Sequence, residues 1–341
     1  MPSVPPPSFR IYRAGDAEPD ALAGDRVVVL GYGHLGRSSA LNLRDAGIPL
    51  TIGNRDDEYV AAARADGFAV TSIADAVAGG DVIFILLPDE VIPEIFRRDI
   101  APALRPGNAI AFASGYAAAF ELIEVPAGVD VLLVAPRMGG EVARERFTAA
   151  RGFWAYVGVE TDCSGRAHRR MLGLAAGIGA LRSGAVEMSA TMEATVDLFV
   201  EQTVGPLIGA ALMTAFDVGV AAGIPPEVMV MEMYMSGEME TVFRGFREAG
   251  LFPSSEAHGA SALFGGLTRS LEIDREVLHD RFQAVLEDIR NGGFAKRFQQ
   301  EAGQGYPMVE AARQMIAQPM PITEAERALR RRVEAGNPPS A

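Results

Sequence analysis

The chain has 341 residues, of which 49% are hydrophobic and 22% charged, and its formal net charge is −13. These values are typical of a soluble globular protein with two domains, and the negative charge argues against nucleic acid or an anionic membrane surface as a partner. The single cysteine, Cys163, excludes an intramolecular disulfide, and four histidines without a His-x-x-x-His spacing argue against a zinc site.

The amino-terminal segment, residues 1–20, begins with a proline-rich run and is predicted to be a flexible leader. It lacks the basic region and the apolar block of a signal peptide. The longest uncharged apolar stretch, residues 202–216, covers 15 residues and is too short to span a bilayer, which needs about 20. We therefore expect a cytoplasmic protein.

A β-favouring run at residues 27–30 leads directly into a Gly-x-Gly-x-x-Gly motif, and an amphipathic helix follows it. In such a motif the first glycine permits a tight turn, the second lets the backbone approach a pyrophosphate, and the third allows close packing of helix and strand. The phosphates then bind at the helix N-terminus, whose free N–H groups favour anions. The predicted dinucleotide-binding residues are Gly31, Tyr32, Gly33, His34, Leu35 and Gly36.

Short apolar runs alternate with amphipathic segments up to about residue 182, which predicts βαβ units and a parallel sheet covered on both faces. Together with the glycine motif, this predicts an α/β dinucleotide-binding domain of the Rossmann type over residues 21–182. The predicted strands are residues 27–30, 50–52, 82–87, 109–113 and 131–134, followed by a last strand and helix at 155–159 and 166–178.

Charged residues follow the second predicted strand, where the adenosine ribose is recognised in such domains. A carboxylate there accepts the ribose 2′-OH, whereas an arginine pairs with a 2′-phosphate. This chain offers both, with Arg55 and Glu58 as the candidates. The alternative interpretation of either residue is a solvated charged turn.

Further candidates lie at the ends of later strands, because the carboxyl ends of strands in an open α/β sheet face the ligand crevice. Those expected beside the nucleotide are Leu87, Pro88, Asp89 and Gly140, and those expected to face the nicotinamide and substrate are Ser114 and Arg137. The alternatives are a turn hydroxyl for Ser114 and a surface cation for Arg137.

From about residue 183 the spacing becomes helical, which predicts an all-α domain over residues 183–335. The predicted helices are residues 188–222, 227–249, 274–300 and 322–334, with connections at 250–266 and 303–307 and a disordered tail at 337–339. On the first of these helices Asp197 and Glu201 are four residues apart, so their carboxylates share one face and could hold a hard cation. Glu193 extends the row, and the alternative is a solvated acidic stripe.

Taken together, these segments resemble the ketol-acid reductoisomerases, or acetohydroxyacid isomeroreductases, over most of the chain. The resemblance implies a Rossmann-type N-terminal domain, a knotted helical C-terminal domain that carries metal, substrate and dimerisation residues, and a homodimer or higher homo-oligomer. Family members use Mg²⁺ to drive an alkyl migration in an acetohydroxy acid and then reduce the resulting ketone with NADPH or NADH. The segments that carry the resemblance are residues 31–33 with 40–47, 85–91, 101–102, 106–107, 135–136, 197–199 and 201–202.

The resemblance implies that Asp197 and Glu201 are magnesium ligands and that two glutamates four residues apart follow on the next long helix. Neither alignment register supplies both glutamates, so one anionic ligand is expected to be missing and Mg²⁺ binding to be weakened. The two registers pair Glu232 with Ser236 and Tyr234 with Glu238, and Glu238 is the third candidate ligand.

Other residues depart from the family pattern near the chemistry. Ser114 stands where the family has histidine and Arg137 where it has lysine, while the family's substrate-binding serine falls near Gly259. In the nucleotide loop Glu58 precedes an aromatic residue where NADPH-preferring members have serine. A carboxylate there repels a 2′-phosphate, so the sequence favours NADH. Arg55 is the opposing evidence, because an arginine there favours the 2′-phosphate of NADPH.

The sequence therefore predicts an NAD(P)H-dependent oxidoreductase that reduces a ketone or imine of a small carboxylate-bearing substrate, with altered or lost alkyl migration. Arg137 would clamp an anionic group, and Ser114 or an ordered water would stabilise the developing oxyanion. One alternative is a working Mg²⁺-dependent ketol-acid reductoisomerase. A second alternative is a non-catalytic nucleotide-binding relative.

Overall fold

The computed structural model describes residues 9–257 and 259–336, and the chain separates into two compact units, Met1–Asp197 and Leu198–Ala341. The predicted disordered tail, His258 and the first eight residues of the predicted leader lie outside the described residues. The predicted boundary near residue 182 falls inside the first unit, whereas the boundary between the units falls within a long helix.

The first unit is built around one sheet with helices on both faces. Its strands are β1 (Ile11–Tyr12), β2 (Val27–Leu30), β3 (Leu50–Gly53), β4 (Val70–Thr71), β5 (Val82–Ile85), β6 (Ala109–Phe112), β7 (Asp130–Pro136), β8 (Trp154–Thr161) and β9 (Gly184–Glu187). Its α-helices are α1 (His34–Asp45), α2 (Glu58–Ala65), α3 (Ile73–Gly79), α4 (Ile92–Ile95), α5 (Tyr116–Ala119), α6 (Gly140–Thr148) and α7 (Ala167–Gly177), and α8 (Ala190–Ala221) begins in this unit.

The strand order is β1-β9-β8-β7-β6-β5-β2-β3-β4, with every neighbouring pair from β4 to β7 parallel. This is the Rossmann arrangement, and its strand order reverses at β2, which lies between β3 and β5. The prediction of a Rossmann-type domain is therefore confirmed. The sheet is parallel from β4 to β7, as predicted, and it is mixed at one edge, where β8 runs antiparallel to β7 and β1 antiparallel to β9.

The central strands are buried on both faces, which explains why they appear in the sequence as unbroken apolar runs. Alternate residues of β2 enter different cores: Val27 and Val29 pack with residues of α1 and α7, while Val28 and Leu30 pack with residues of α3 and of the segment 92–100. The strand β1 also belongs to this sheet, so Ile11–Tyr12 of the predicted leader is part of the fold.

The second unit is helical in all its described regular structure except short 3₁₀ and π turns, which confirms the predicted class. After α8 its helices are α9 (Pro226–Val230), α10 (Glu238–Ala249), α11 (Ala260–Ser270), α12 (Arg275–Arg290), α13 (Gly293–Gly303), α14 (Pro307–Ala317) and α15 (Pro321–Gly336). The range predicted to be all-α, residues 183–335, is wrong at its start, because β9 lies within it and belongs to the sheet of the first unit.

Two predicted helices of this unit are interrupted. A π turn and Gly237, with φ of +83°, separate α9 from α10, and Gly292, with φ of +76°, separates α12 from α13. The prediction of a connection over residues 250–266 is wrong, because α11 begins inside it. The connection at 303–307 is confirmed by the end of α13 and the start of α14.

Within the described part of the chain, one helix is long and apolar enough to cross a membrane by length and composition alone. This is α8, with 32 residues and a mean hydropathy of 1.6 in its most apolar window, of which 11% is buried. The apolar stretch predicted from the sequence lies inside it. One such helix is weak evidence for a membrane span.

Candidate functional site

The three motif glycines form a tight turn from β2 into α1. Gly31 has φ of +91°, its N–H donates to the Gly53 carbonyl at 2.9 Å, and a Cβ on it would lie 2.8 Å from the Leu86 carbonyl oxygen. A Cβ on Gly36 would lie 2.2 Å from the Gly31 carbonyl oxygen, so helix and turn pack too closely for a side chain. Gly33 precedes α1 and faces open space, since a Cβ on it would meet no atom within 4 Å.

Gly140 supports this turn by packing. A Cβ on it would lie 2.2 Å from the His34 carbonyl oxygen and 2.9 Å from the Leu35 backbone nitrogen, so the start of α6 lies directly against the start of α1. Both His34 and Leu35 are in the first turn of α1 and present backbone N–H groups there. A glycine at position 140 therefore keeps the helix N-terminus in place.

The Tyr32 side chain anchors the turn from below. Its ring is buried and its hydroxyl donates to Asp66 at 2.8 Å, and the same carboxylate pairs with Arg37 at 2.7 Å. Burial, with the hydrogen bond to Asp66, raises the pKa of the Tyr32 hydroxyl well above its usual value. Tyr32 thus contributes its backbone to the turn of residues 31–36, which we call the nucleotide cradle, and its ring to the core.

Asn54 and Asp57 organise the loop after β3, and sequence analysis did not select them. Asn54 accepts from the Tyr32 N–H at 3.2 Å and donates to Asp57 at 2.8 Å. Asp57 caps α2 through the Tyr59 N–H and binds the Arg55 guanidinium at 2.7 Å, which raises the pKa of Arg55. An Asp just before a helical stretch is a capping signal that could have identified Asp57.

A cleft of about 780 Å³ adjoins this loop and has the size of a ligand pocket. Arg55 and Asp56 line it, whereas Glu58 is exposed and is not among its lining residues. Arg64 and Arg98 also line it, and Arg98 is paired with Glu94 and Asp99. The remaining lining residues are Asn54, Val60, Val70, Thr71, Ser72, Ile73, Ala74, Val91, Glu94, Ile95 and Asp99.

The residues after β5 and β6 meet at the same rim. Leu87 packs into the core below Gly31, and Pro88 is exposed with its carbonyl accepting from the Val91 N–H at 3.1 Å. The Ser114 hydroxyl donates to Asp89 at 3.0 Å and accepts from the Tyr116 N–H at 3.2 Å. Ser114 is thus a turn hydroxyl that also touches a carboxylate of the rim.

Arg137 is held by two carboxylates of α8. One terminal nitrogen donates to Glu193 at 2.7 Å and the other donates to Asp197, while the guanidinium lies 5.0 Å from the centroid of the Tyr156 ring. Glu193 is fully buried, and its second oxygen accepts from the Gly115 N–H at 2.6 Å. The structure therefore brings together Arg137, Asp197 and a buried glutamate whose role in pairing sequence analysis missed.

The predicted metal ligands are distributed over both units. Asp197 belongs to the first unit and is paired with Arg137, whereas Glu201 on α8 and Glu238 at the start of α10 belong to the second unit and are exposed. Within residues 9–257 and 259–336, no group of three or more His, Cys, Asp or Glu side chains could hold a metal ion. Tyr234, which the same alignment register pairs with Glu238, donates its hydroxyl hydrogen to Glu326 at 2.5 Å.

Two family models match the chain in succession. Residues 21–184 match the NADPH-binding domain of acetohydroxy acid isomeroreductase, and residues 191–335 match the C-terminal domain of ketol-acid reductoisomerase. The chain belongs to the ketol-acid reductoisomerase family. It is therefore an NAD(P)-dependent oxidoreductase with a Rossmann-type cofactor domain followed by a mostly helical domain, as the resemblance in sequence implied.

Individual members of the ketol-acid reductoisomerase family are similar along nearly their whole length. The ketol-acid reductoisomerase (NADP(+)) of Pyrobaculum calidifontis is 37% identical over 302 residues, covering 87% of this chain and 91% of that protein. The putative ketol-acid reductoisomerase 3 of Saccharolobus solfataricus is 37% identical over 300 residues, covering 86% and 89%. A solved NADH-preferring ketol-acid reductoisomerase from an uncultured archaeon superposes with a TM-score of 0.88 at 28% identity, covering 94% and 98%.

Proposed function

We propose that this chain reduces the ketone or imine carbon of a small carboxylate-bearing substrate with NAD(P)H, and that its alkyl-migration activity is altered or lost. The observation that carries the proposal is the ion pair between Arg137 and Asp197, because it engages the carboxylate of a predicted magnesium ligand. The turn of residues 31–36, by contrast, has the close glycine packing that a dinucleotide site needs. Migration needs strong Lewis-acid polarisation, whereas hydride transfer to a carbonyl needs only a positioned donor and a stabilised oxyanion.

A nicotinamide cofactor held at the turn of residues 31–36 would supply the hydride, and an ordered water would supply the proton that completes the alcohol or amine. The residues of the chain would position and polarise the reactants. The space in front of Gly33 and the N-terminus of α1 receive the pyrophosphate. The Ser114 hydroxyl, which now donates to Asp89, is placed to donate to the oxyanion in its stead, directly or through a water. Because both terminal nitrogens of Arg137 already bind carboxylates, we assign it charge compensation rather than the clamp predicted from the sequence.

The second candidate function is a complete Mg²⁺-dependent ketol-acid reductoisomerase reaction. The matches to both family models and the names of the relatives favour it. It requires metal binding by Asp197, Glu201 and Glu238. The ligand in the first unit does not suit Mg²⁺, which needs a near-octahedral shell of oxygens, since one oxygen of Asp197 already accepts from a guanidinium. A non-catalytic role is set aside because the family consists of oxidoreductases.

An assay of nicotinamide oxidation separates the two functions. We expect the isomerised 2-keto acid to be reduced at equal rates with Mg²⁺ and with EDTA, and 2-acetolactate to turn over about 100-fold more slowly, which corresponds to about 2.7 kcal/mol in the barrier. Equal turnover of both substrates with a steep Mg²⁺ requirement would establish the second function instead. Failure to oxidise either nucleotide with 2-keto acids, 2-ketols or imines would refute the proposal.

We also propose that NADH is the preferred cofactor. Arg55, the residue suited to a 2′-phosphate, is already bound to Asp57, and Asp56 faces the same cleft with a negative charge. A 2′-phosphate has to compete with Asp57 for the guanidinium and to approach Asp56, whereas a ribose hydroxyl can donate to a carboxylate. Arg64, which also lines the cleft, is the residue that argues for NADPH.

Replacing Asp57 with alanine is expected to shift the ratio of NADPH to NADH affinity by about tenfold towards NADPH, because Arg55 is released. The matched control is Asp274→Ala, which removes the cap of α12 through the Glu276 and Val277 N–H groups but leaves Arg55 bound. Both variants should lose about 1 kcal/mol of stability. Titration of each cofactor checks this, and an equal affinity ratio in the two variants would contradict the assignment.

We propose further that the protein acts on a small molecule in the cytoplasm, without nucleic acid or membrane, and forms a homodimer or higher homo-oligomer. Val200, Val204 and Ile208 lie one turn apart on α8 and are 40–47% exposed, which leaves an apolar row uncovered. A second copy of the chain is the proposed cover. Light scattering on the purified protein tests this, since a monomeric mass would refute it.

A further inference from the structure

We propose that the Arg137 guanidinium is a resident cation of this site, which takes the Asp197 oxygen that a divalent metal would need. Metal binding and the pairing of Arg137 with Asp197 then exclude each other in this chain. The part that this pairing plays in the reaction rests on the proposed function. The pairing itself can be tested by measuring metal binding alone.

The guanidinium is fixed by several partners at once. Its terminal nitrogens bind Glu193 and Asp197, and the Tyr156 ring lies 5.0 Å from its centre. Glu193 is itself immobilised, because it is fully buried and accepts from the Gly115 N–H at 2.6 Å. A Cβ on Gly115 would lie 2.1 Å from the Ala190 carbonyl oxygen, so this turn is packed against the start of α8. The cation is therefore positioned by the fold.

The spacing of the two carboxylates suits an arginine in particular. Glu193 and Asp197 are four residues apart on α8, so their carboxylates are neighbours on one helix face. The planar guanidinium presents two terminal nitrogens and can bridge two such groups, whereas the ammonium of a lysine is a single point charge. Since arginine does not lose its proton in proteins, this charge is permanent.

A divalent metal would have to displace that permanent charge. Asp197 is the one predicted ligand in the first unit, and its carboxylate already accepts from the Arg137 guanidinium. Mg²⁺ needs a near-octahedral oxygen shell and gives up its waters reluctantly. A carboxylate oxygen that is already bound to a guanidinium is a poor ligand for Mg²⁺, and two adjacent cations repel each other.

Binding of Mn²⁺ to the full-length protein, followed by the electron paramagnetic resonance signal of the free ion, tests the inference without any turnover. We expect Arg137→Met to bind Mn²⁺ at least about tenfold more tightly than the wild type, since it frees Glu193 and Asp197. Arg144→Met is the matched control, because Arg144 also pairs with a carboxylate, Asp45, and with Asn42. Its Mn²⁺ affinity should equal that of the wild type.

A second variant keeps the inference testable if Arg137→Met does not fold. Asp197→Asn should leave the Mn²⁺ affinity of the wild type unchanged, because Asp197 is not available to metal while Arg137 is present. A tenfold loss of affinity in Asp197→Asn, or an unchanged affinity in folded Arg137→Met, would overturn the inference. Neither measurement depends on reductase activity, so a failure of the proposed function would show only in the turnover assay.

Discussion

A Gly33→Val variant is expected to lose about 100-fold in affinity for both NADH and NADPH, equivalent to about 2.7 kcal/mol. The reason is steric exclusion of the ligand. A Cβ at position 33 meets no atom of the protein within 4 Å, and the residue has an ordinary negative φ of −71°, so the protein accommodates the side chain. The side chain fills the space at the N-terminus of α1 in which we propose that the pyrophosphate binds.

Two control variants separate exclusion of the ligand from damage to the fold. Gly79→Val also places a side chain where no atom lies within 4 Å, but at the end of α3, away from the cradle, so nucleotide affinity should not change. Gly36→Val, by contrast, forces a Cβ to 2.2 Å from the Gly31 carbonyl and should lower the free energy of unfolding by about 3 kcal/mol.

Isothermal titration with each nucleotide and chemical denaturation check these expectations. Gly33→Val should lose no more than about 1 kcal/mol of stability, because valine is a poorer residue than glycine before a helix. If Gly33→Val bound NADH within threefold of the wild type, the pyrophosphate could not lie in front of this residue.

The turn of residues 31–36 could be predicted from sequence because its motif is local, although its contacts with Gly53, Leu86 and Gly140 are not. The conformation of Gly31 and the close packing of Gly36 on the preceding turn depend on residues within a few positions of each other. The burial of β2, β5 and β6 could be predicted for a similar reason, since a strand covered on both faces needs a continuous apolar run.

The pairing of Arg137 could not be predicted in this way. Its partners lie 56 and 60 residues further along the chain. The hydrophobic period of a sequence describes one helix or strand at a time and does not show which elements pack together. The acidic row on α8 was correctly placed on one helix face, but which cation lies against that face depends on how α8 packs on the turn that follows β7. The direction of β8 escaped prediction too, because an apolar run does not encode whether a strand is parallel.

Strands of two residues are too short to show a hydrophobic period in the sequence. The two-residue strands β1 and β4 were not predicted. The 11-residue α11 is a different case: its first residues fell in the predicted connection at 250–266, and it contains Gly265 and Gly266, which lower its helical tendency. The organising roles of Asn54 and Asp57 rest on side-chain hydrogen bonds to backbone groups, for which the sequence offers only the weak signal of an Asp before a helix.

The second large effect is expected at Arg170, whose replacement by methionine should lower the free energy of unfolding by about 3–5 kcal/mol. Arg170 on α7 is 1% exposed and binds Asp25 at 2.7 Å, Asp130 at 3.3 Å and the Gly107 carbonyl at 2.9 Å. Asp130 is fully buried at the start of β7, and the variant removes the guanidinium that pairs with its charge. Urea denaturation at neutral pH measures the loss.

The neighbouring Arg169 supplies the control, since Arg169→Met removes the same charge from the same helix. Its side chain is 36% exposed and pairs with Glu18 and Asp20, which are themselves largely exposed, so the loss should stay below about 1 kcal/mol. Equal losses of unfolding free energy in the two variants would show that burial of the Arg170 ion pairs contributes nothing to stability. Asp130 begins β7, whereas we propose that the nucleotide binds at the carboxyl ends of the strands, so folded Arg170→Met should retain the NADH affinity of the wild type.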